Sequence, residues 1–519
     1  MSQDEASDRA ATTAAEVASG GSVVLAGNLL NRALRFITNW MLANALGPVG
    51  YGVYEGARNF VTILASFAPG GTDKGVVYFG ARQADQPEAL RGSILGTFIV
   101  ASIGGPLLTV LPALLVLAAL DGQPWALWTL EPIGALEPGV PQALLLMLPA
   151  VAIWSVLLAA VGTMRALKDM KGQTLAYLIV LPVGMVIAAA LPLMGFDLQA
   201  VIFGFVLANL AALVVALPLV WRRVRPLIRG VKARFEWGAL LAYSLPESFS
   251  SMLFRINQWA DTLMVLALAG TAETGLYRTA VTLAMIGEVP AVAVNTMFQP
   301  VVSQMVAAGD PEQLKRVVRI VTRWMVILAA PVYLGVYVGI EVLLSLWKPE
   351  YASSGEALTI LLWGQAVYVL TVPVNALIPM SGRARLNLVN AGAAAALNIG
   401  LNLVMIPLWG IRGAATATGI SLAAWSIWRV AQVWWLLGQQ AFTPRALGLI
   451  AVFVALALSA RLGTEDLSLL VQAAATLGSI LAFLACAWGF GRSPDDALVL
   501  DKVTARFRSK LGLGRKESP

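Results

Sequence analysis

Histidine does not occur in this chain of 519 residues, and cysteine occurs once, at Cys486. The first absence removes the commonest general base, metal ligand and neutral-pH proton relay. The second excludes an internal disulfide and a thiolate metal site. No G-x-x-x-x-G-K-[ST] phosphate loop is present, so the chain carries no ATPase of that kind. Charged residues make up only 13% of the sequence, about half the share usual in a soluble domain. No catalytic constellation, metal site or cofactor is expected.

What fills the chain instead is hydrocarbon: 58% of residues are hydrophobic and the mean hydropathy is +0.76. A bilayer span needs about 20 mostly apolar residues. Apolar runs punctuated by proline, glycine and charge give fourteen candidate helices. They lie near 22–44, 51–69, 93–119, 141–166, 173–194, 198–221, 238–262, 275–300, 318–346, 356–380, 386–408, 412–437, 445–462 and 467–490. The expected fold class is an all-α, multi-pass integral membrane protein. Residues 1–21 hold Asp4, Glu5, Asp8 and Glu16 against Arg9, unlike the basic start of a secretory signal, and are expected to form a cytoplasmic tail.

Orientation follows from lysine and arginine in the short connections. One set holds Lys74, Arg82 and Arg91, then Arg165, Lys168 and Lys171, the basic run from Arg222 to Arg234, then Lys315, Arg316 and Arg319, Arg383 and Arg385, and Arg445. The other holds Lys348, Arg412 and Arg461 among acids such as Asp121, Glu131, Asp197, Glu273 and Glu465. Both termini are therefore expected in the cytoplasm, at the cell (inner) membrane. The net charge of +7 is spread over these turns and the tail, as topology signals and anionic-lipid contacts; no nucleic-acid partner is expected.

The chain also repeats itself. Gly52-Val-Tyr54 returns as Gly275-Leu-Tyr277 and Arg32 as Arg255, both at an offset of 223. Gln86-Pro-Glu-Ala-Leu-Arg91 returns as Asp310-Pro-Glu-Gln-Leu-Lys315, Gly162-Thr-Met-Arg165 as Gly382-Arg-Ala-Arg385, and Leu191-Pro-Leu-Met-Gly195 as Ile406-Pro-Leu-Trp-Gly410. Helices 1–6 (residues 22–221) and 7–12 (238–440) thus read as two parallel six-helix lobes, joined by a basic linker at 222–237. Helices 13 and 14 (441–490) and a basic tail (491–519) follow. Parallel duplication is a known transporter architecture.

Several charges sit where lipid should be. Helix 1 places Asn28, Arg32, Arg35 and Asn39 on one stripe, by the helical period. Helix 7 carries Glu247, Ser251, Arg255, Gln258 and Asp261; helix 2 carries Glu55, Arg58 and Asn59; helix 8 carries Arg278 and Glu288. A charge at the bilayer centre costs about 2.5–3.5 kcal/mol on insertion scales. A shared aqueous cleft accounts for such a cost. Against it, Glu55, Arg58 and Arg278 could snorkel to the interface, and Glu247 could simply neutralise Arg255. Five arginines (Arg32, Arg35, Arg58, Arg255, Arg278), with Asn28, Asn39 and Gln258, suit an anionic, phosphorylated cargo. The acids Glu55, Glu247, Asp261 and Glu288 are then counter-ions or coupling sites, with an H+ or Na+ gradient, or the substrate's own gradient, as the driver.

These residues resemble the polysaccharide transporter, or oligosaccharide-lipid flippase, family of the multidrug/oligosaccharidyl-lipid/polysaccharide exporter superfamily. The resemblance rests on Leu46-Gly-Pro-Val-Gly-Tyr-Gly-Val-Tyr54, Tyr243-Ser-Leu-Pro246, Trp259-Ala-Asp-Thr-Leu263 with Thr274-Gly-Leu-Tyr277, Ser381-Gly-Arg383, and Leu397-Asn-Ile-Gly-Leu-Asn402 with Ile406-Pro407, Gly410 and Gly413-Ala-Ala415. It implies two six-helix lobes around a V-shaped cavity, alternating access, and transfer of polyprenyl-diphosphate-linked oligosaccharide between leaflets for surface polysaccharide biosynthesis. In related flippases of lipid-linked peptidoglycan precursors, helix-1 arginines matter, and Arg32 and Arg35 are the matching positions. Glu247 departs from the family's pattern, in which an apolar residue follows Ser-Leu-Pro. The expected partners are the lipid-linked oligosaccharide and the bilayer, with other glycan-assembly proteins as candidates.

Two other readings stand beside this one. A multidrug extruder on the same fold, exporting cations, would favour an acidic or aromatic cavity. A membrane glycan polymerase or ligase would need a larger outward loop than residues 121–140 and titratable catalytic groups. Reporter fusions check the orientation: fusions after residues 20 and 519 should read as cytoplasmic and one near residue 130 as external.

Overall fold

The computed structural model describes residues 3–83, 86–120, 139–292, 311–375, 377–380, 384–438, 440–463 and 467–489, with isolated positions between 294 and 305. The outward loop, the tail from 490, Asp310 and the Ser381-Gly-Arg383 motif lie outside the described residues.

Among the described residues there is no strand, and the helices follow the apolar runs. They are α1 (Gln3–Phe67), α2 (Thr72–Arg82), α3 (Pro87–Ile99), α4 (Gly105–Leu120), α5 (Val140–Met147), α6 (Pro149–Ala166), α7 (Met170–Gln173), α8 (Leu181–Ala190), α9 (Leu198–Ile228), α10 (Trp237–Ala269) and α11 (Thr271–Ala284). Then come α12 (Pro311–Val338), α13 (Ile340–Leu344), α14 (Ser354–Asn375), α15 (Leu377–Met380), α16 (Ala384–Leu437), α17 (Pro444–Leu462) and α18 (Leu469–Gly489). Nine helical segments among them are long and apolar enough to cross a membrane. The helices bearing most of the charges expected in a cleft, α1, α10 and α11, are not in that set.

Two expectations about boundaries change. The second apolar run ends as expected, with α1 at Phe67, but after a turn at Gly70 and Gly71 the chain resumes as α2, so Lys74 stands on a helix and not in a connection. The third begins at Pro87, whose missing N–H costs nothing in a first turn, and passes through a π-helical turn at Val100–Gly104. A second π-helical stretch, Thr174–Val180, links α7 to α8 and packs on Gly27 of α1.

Contacts divide the chain into two compact units, Met1–Thr282 with Leu401–Ala414, and Leu283–Gly400 with Ala415–Pro519. In the first, α9 shows how a helix is built for lipid. It buries Ala208, Ala212 and Ala216 one turn apart and exposes Phe203, Leu207 and Val214. Large apolar groups outside and small ones inside invert the soluble pattern, because the surrounding solvent is itself apolar and close backbone approach supplies the packing. Gly184 on α8 and Gly204 on α9 make that approach against Ala208 and Ala188. In the second unit the same device brings Gly364 of α14 against Gly419 of α16. There Phe298, Leu314, Val318, Val374, Leu377, Val433 and Ala441 form an apolar core.

The internal repeat has a local geometric counterpart within the first unit. At Gly47 the backbone breaks with φ 70° and ψ 176°, and at Gly270, 223 residues on, with φ 91° and ψ 179°. Both are left-handed in φ and extended in ψ, a conformation nearly reserved for glycine. Five residues beyond each break a second glycine lets backbones touch. A Cβ on Gly52 would lie 1.8 Å from the Thr271 carbonyl oxygen, and one on Gly275 would lie 2.1 Å from that of Pro48. The contact is reciprocal under the repeat: 48 corresponds to 271 and 52 to 275. Gly52→Ala and Gly275→Ala should each abolish monodisperse, folded protein in detergent chromatography, whereas Gly392→Ala, where a Cβ meets nothing within 4 Å, should leave it unchanged.

Candidate functional site: an arginine cluster on a buried carboxylate

One helical turn past that seam, Glu55 of α1 faces Arg278 of α11, again repeat-related positions. Glu55 is wholly buried and Arg278 is 2% exposed. Arg278 Nε donates to Glu55 Oε2 at 2.9 Å, and Arg58 Nη2 donates to the same oxygen at 2.6 Å. Neither side chain snorkels; the helix contact at Gly52 and Gly275 seats both beneath it. Removing one partner of such a buried pair costs about 3–5 kcal/mol, since the remaining charge is left uncompensated.

The indole of Trp259 on α10 completes the cluster. The Arg278 guanidinium lies 5.0 Å from its ring centre and that of Arg58 5.8 Å, within cation–π range. Arg35 is exposed yet within electrostatic reach of Arg58, Glu55 and Arg278. Asn39 joins from the same face of α1: its Nδ2 donates to Thr282 Oγ1 at 3.3 Å, and Thr282 in turn donates to the Arg278 carbonyl. Three guanidiniums against one carboxylate leave two positive charges in excess. Among the described residues no hydrogen-bond partner reaches Glu55 Oε1, Arg58 Nε or either amide atom of Asn59.

A second polar group lies on the α2 and α10 side of the same unit. Ser66, Asp73, Lys74, Glu247, Ser251 and Arg255 border a cavity of about 320 Å³. Here Glu247 does not neutralise Arg255. It accepts from Lys74 Nζ at 2.6 Å, and Lys74 also donates to Ser251 Oγ. Both members of that pair are about 40% exposed, so the pair itself adds little stability.

The remaining sequence candidates are dispersed. Arg32 is half-buried, and Asn28 and Gln258 are exposed. Asp261 accepts from Tyr277 Oη at 2.6 Å and from the Thr262 amide, tying α10 to α11. Glu288 falls in the second unit, near enough to Tyr333 to act on it electrostatically. Sequence reasoning places Lys74 in a turn and gives Trp259 no role, although Trp259 sits in a quoted motif one turn from Arg255.

Comparisons with known proteins give the class first. The structure resembles one described as "Lipid II flippase MurJ, inward closed conformation", with a TM-score of 0.66 at 13% identity over 89% of this chain and 98% of that one. It also resembles an inward-facing multidrug resistance MATE family transporter of the MOP superfamily, with a TM-score of 0.63 at 16% identity over 78% and 94%. A third is a MOP superfamily transporter from Pyrococcus furiosus, with a TM-score of 0.54 at 14% identity over 82% and 96%. The chain shares the multi-helix fold of these membrane proteins.

The family follows from the sequence. The pattern described as "Polysaccharide biosynthesis protein" matches residues 17–306, and that described as MatE matches 246–404. The chain belongs to the polysaccharide biosynthesis protein family. No curated protein matches it.

Glu55→Ala should leave Arg58 and Arg278 facing each other without a counter-ion. A fall of several degrees in the detergent unfolding midpoint is expected, with Glu55→Asp in between.

Proposed function

We propose that the protein is a flippase that carries a polyprenyl-diphosphate-linked oligosaccharide across the cell (inner) membrane by alternating access, for surface polysaccharide biosynthesis. The observation that carries this reading is the guanidinium surplus around Glu55. Arg35, Arg58 and Arg278 offer planar forks of donors to an anion, and a diphosphate presents oxygens that such forks bind in pairs. Glu55 serves as counter-ion: it fixes two guanidiniums while the cluster stays net positive.

The family description supports a cargo from polysaccharide assembly, and the flippase named among the structural relatives supports a lipid-linked one. A cation extruder is disfavoured by the same positive excess. Both termini are proposed to face the cytoplasm, as the basic turns require. An H+ or Na+ gradient is the proposed driver, and Glu247, half-exposed beside a polar cavity, is the acid best placed to exchange an ion.

Reconstituted protein should move a fluorescent polyprenyl-diphosphate glycan between leaflets. Arg35→Ala and Arg278→Ala should each slow that movement at least tenfold, and Arg32→Ala or Arg255→Ala should abolish surface glycan export with normal membrane insertion. Wild-type rates in all four variants, or drug efflux without glycan movement, would overturn the reading.

A further inference from the structure

A separate cavity of about 440 Å³ lies in the second unit, where α12 and α17 begin. Among the described residues its border holds five cations, Lys315, Arg316, Arg319, Arg323 and Arg445, and one acid, Glu312. On α12 these residues recur every three to four positions and share a face. The opposite face buries Leu314 and Val318 in the apolar core. The cations therefore stand on a fixed platform.

Their depth is graded. Arg323 is 4% exposed, Arg319 and Lys315 are half-buried, and Arg316 and Arg445 are exposed. Arg319 Nε donates to the Gln440 carbonyl at 3.0 Å, which fixes its guanidinium on the segment leading into α17. Thr443, also on the border, caps α17 by accepting from the Ala446 amide at 3.2 Å. The first turn of α17 adds the positive end of a helix dipole. At the mouth Glu312 reaches Lys315 at 3.8 Å.

An anion is the ligand that a cavity with so basic a border attracts. The volume is that of a ligand pocket, much more than one water requires. Both helices continue as membrane spans, Glu312–Val338 and Pro444–Leu462, and they enter from this end, so the cavity lies at headgroup depth. Basic pockets between helices at that depth suit phosphorylated headgroups. We infer that this cavity binds the phosphate of an anionic phospholipid headgroup, at a site distinct from the Glu55 cluster and independent of what the protein transports.

The test uses the full chain in detergent, titrated with phosphatidylglycerol or cardiolipin against phosphatidylcholine and read by native mass spectrometry. The variant Lys315→Gln/Arg316→Gln/Arg445→Gln changes only rim residues and spares buried Arg323. The control, Arg222→Gln/Arg225→Gln/Arg229→Gln, removes the same charge from an exposed stretch at the end of α9. The pocket variant should weaken anionic-lipid retention at least tenfold and the control less than twofold. Equal loss in both, or none in either, overturns the inference. Displacement of lipid by inorganic phosphate at constant ionic strength would overturn the lipid source in favour of a soluble phosphate; resistance to it supports the headgroup.

Discussion

The first unit depends on one close approach. Two helix starts, α1 beyond Gly47 and α11 beyond Gly270, cross with glycine against carbonyl oxygen in both directions. Nothing larger than a hydrogen fits there. That contact brings Glu55 and Arg278 together one turn below, and with them Arg58 and Trp259. The polar cluster is a consequence of backbone packing, and the packing is a consequence of two pairs of glycines.

A buried carboxylate shared by two guanidiniums is poor evidence for stability, because desolvation consumes most of the Coulomb gain. Its value lies in position. Glu55 holds two arginines that would otherwise repel each other, and Trp259 provides a face for both. Among the described residues Arg58 Nε is left without a hydrogen-bond partner, and Arg35 stands within electrostatic reach of the pair.

The two basic regions do different physical work. Around Glu55 the positive excess is small, buried and coupled to helix crossing. Where α12 meets α17 it is larger, graded toward the surface and set on an apolar core.

Much of this was legible in the sequence, and for a clear reason. Helix positions, the membrane setting and the repeat follow from composition, punctuation and period, which are local or additive properties. Arg58 and Arg278 were candidates because charge in apolar runs is costly wherever it falls. Their pairing was not legible. The choice of Glu55 as shared partner, of Lys74 over Arg255 for Glu247, and of Trp259 as the ring between guanidiniums depends on which helix faces meet across more than 170 residues of sequence. The sequence by itself determined that this chain is helical, apolar enough for a bilayer and internally repetitive, and that it sets arginines within its apolar runs. Only the tertiary structure decided which charges neutralise each other and which remain in excess, because that sum is taken over neighbours in space.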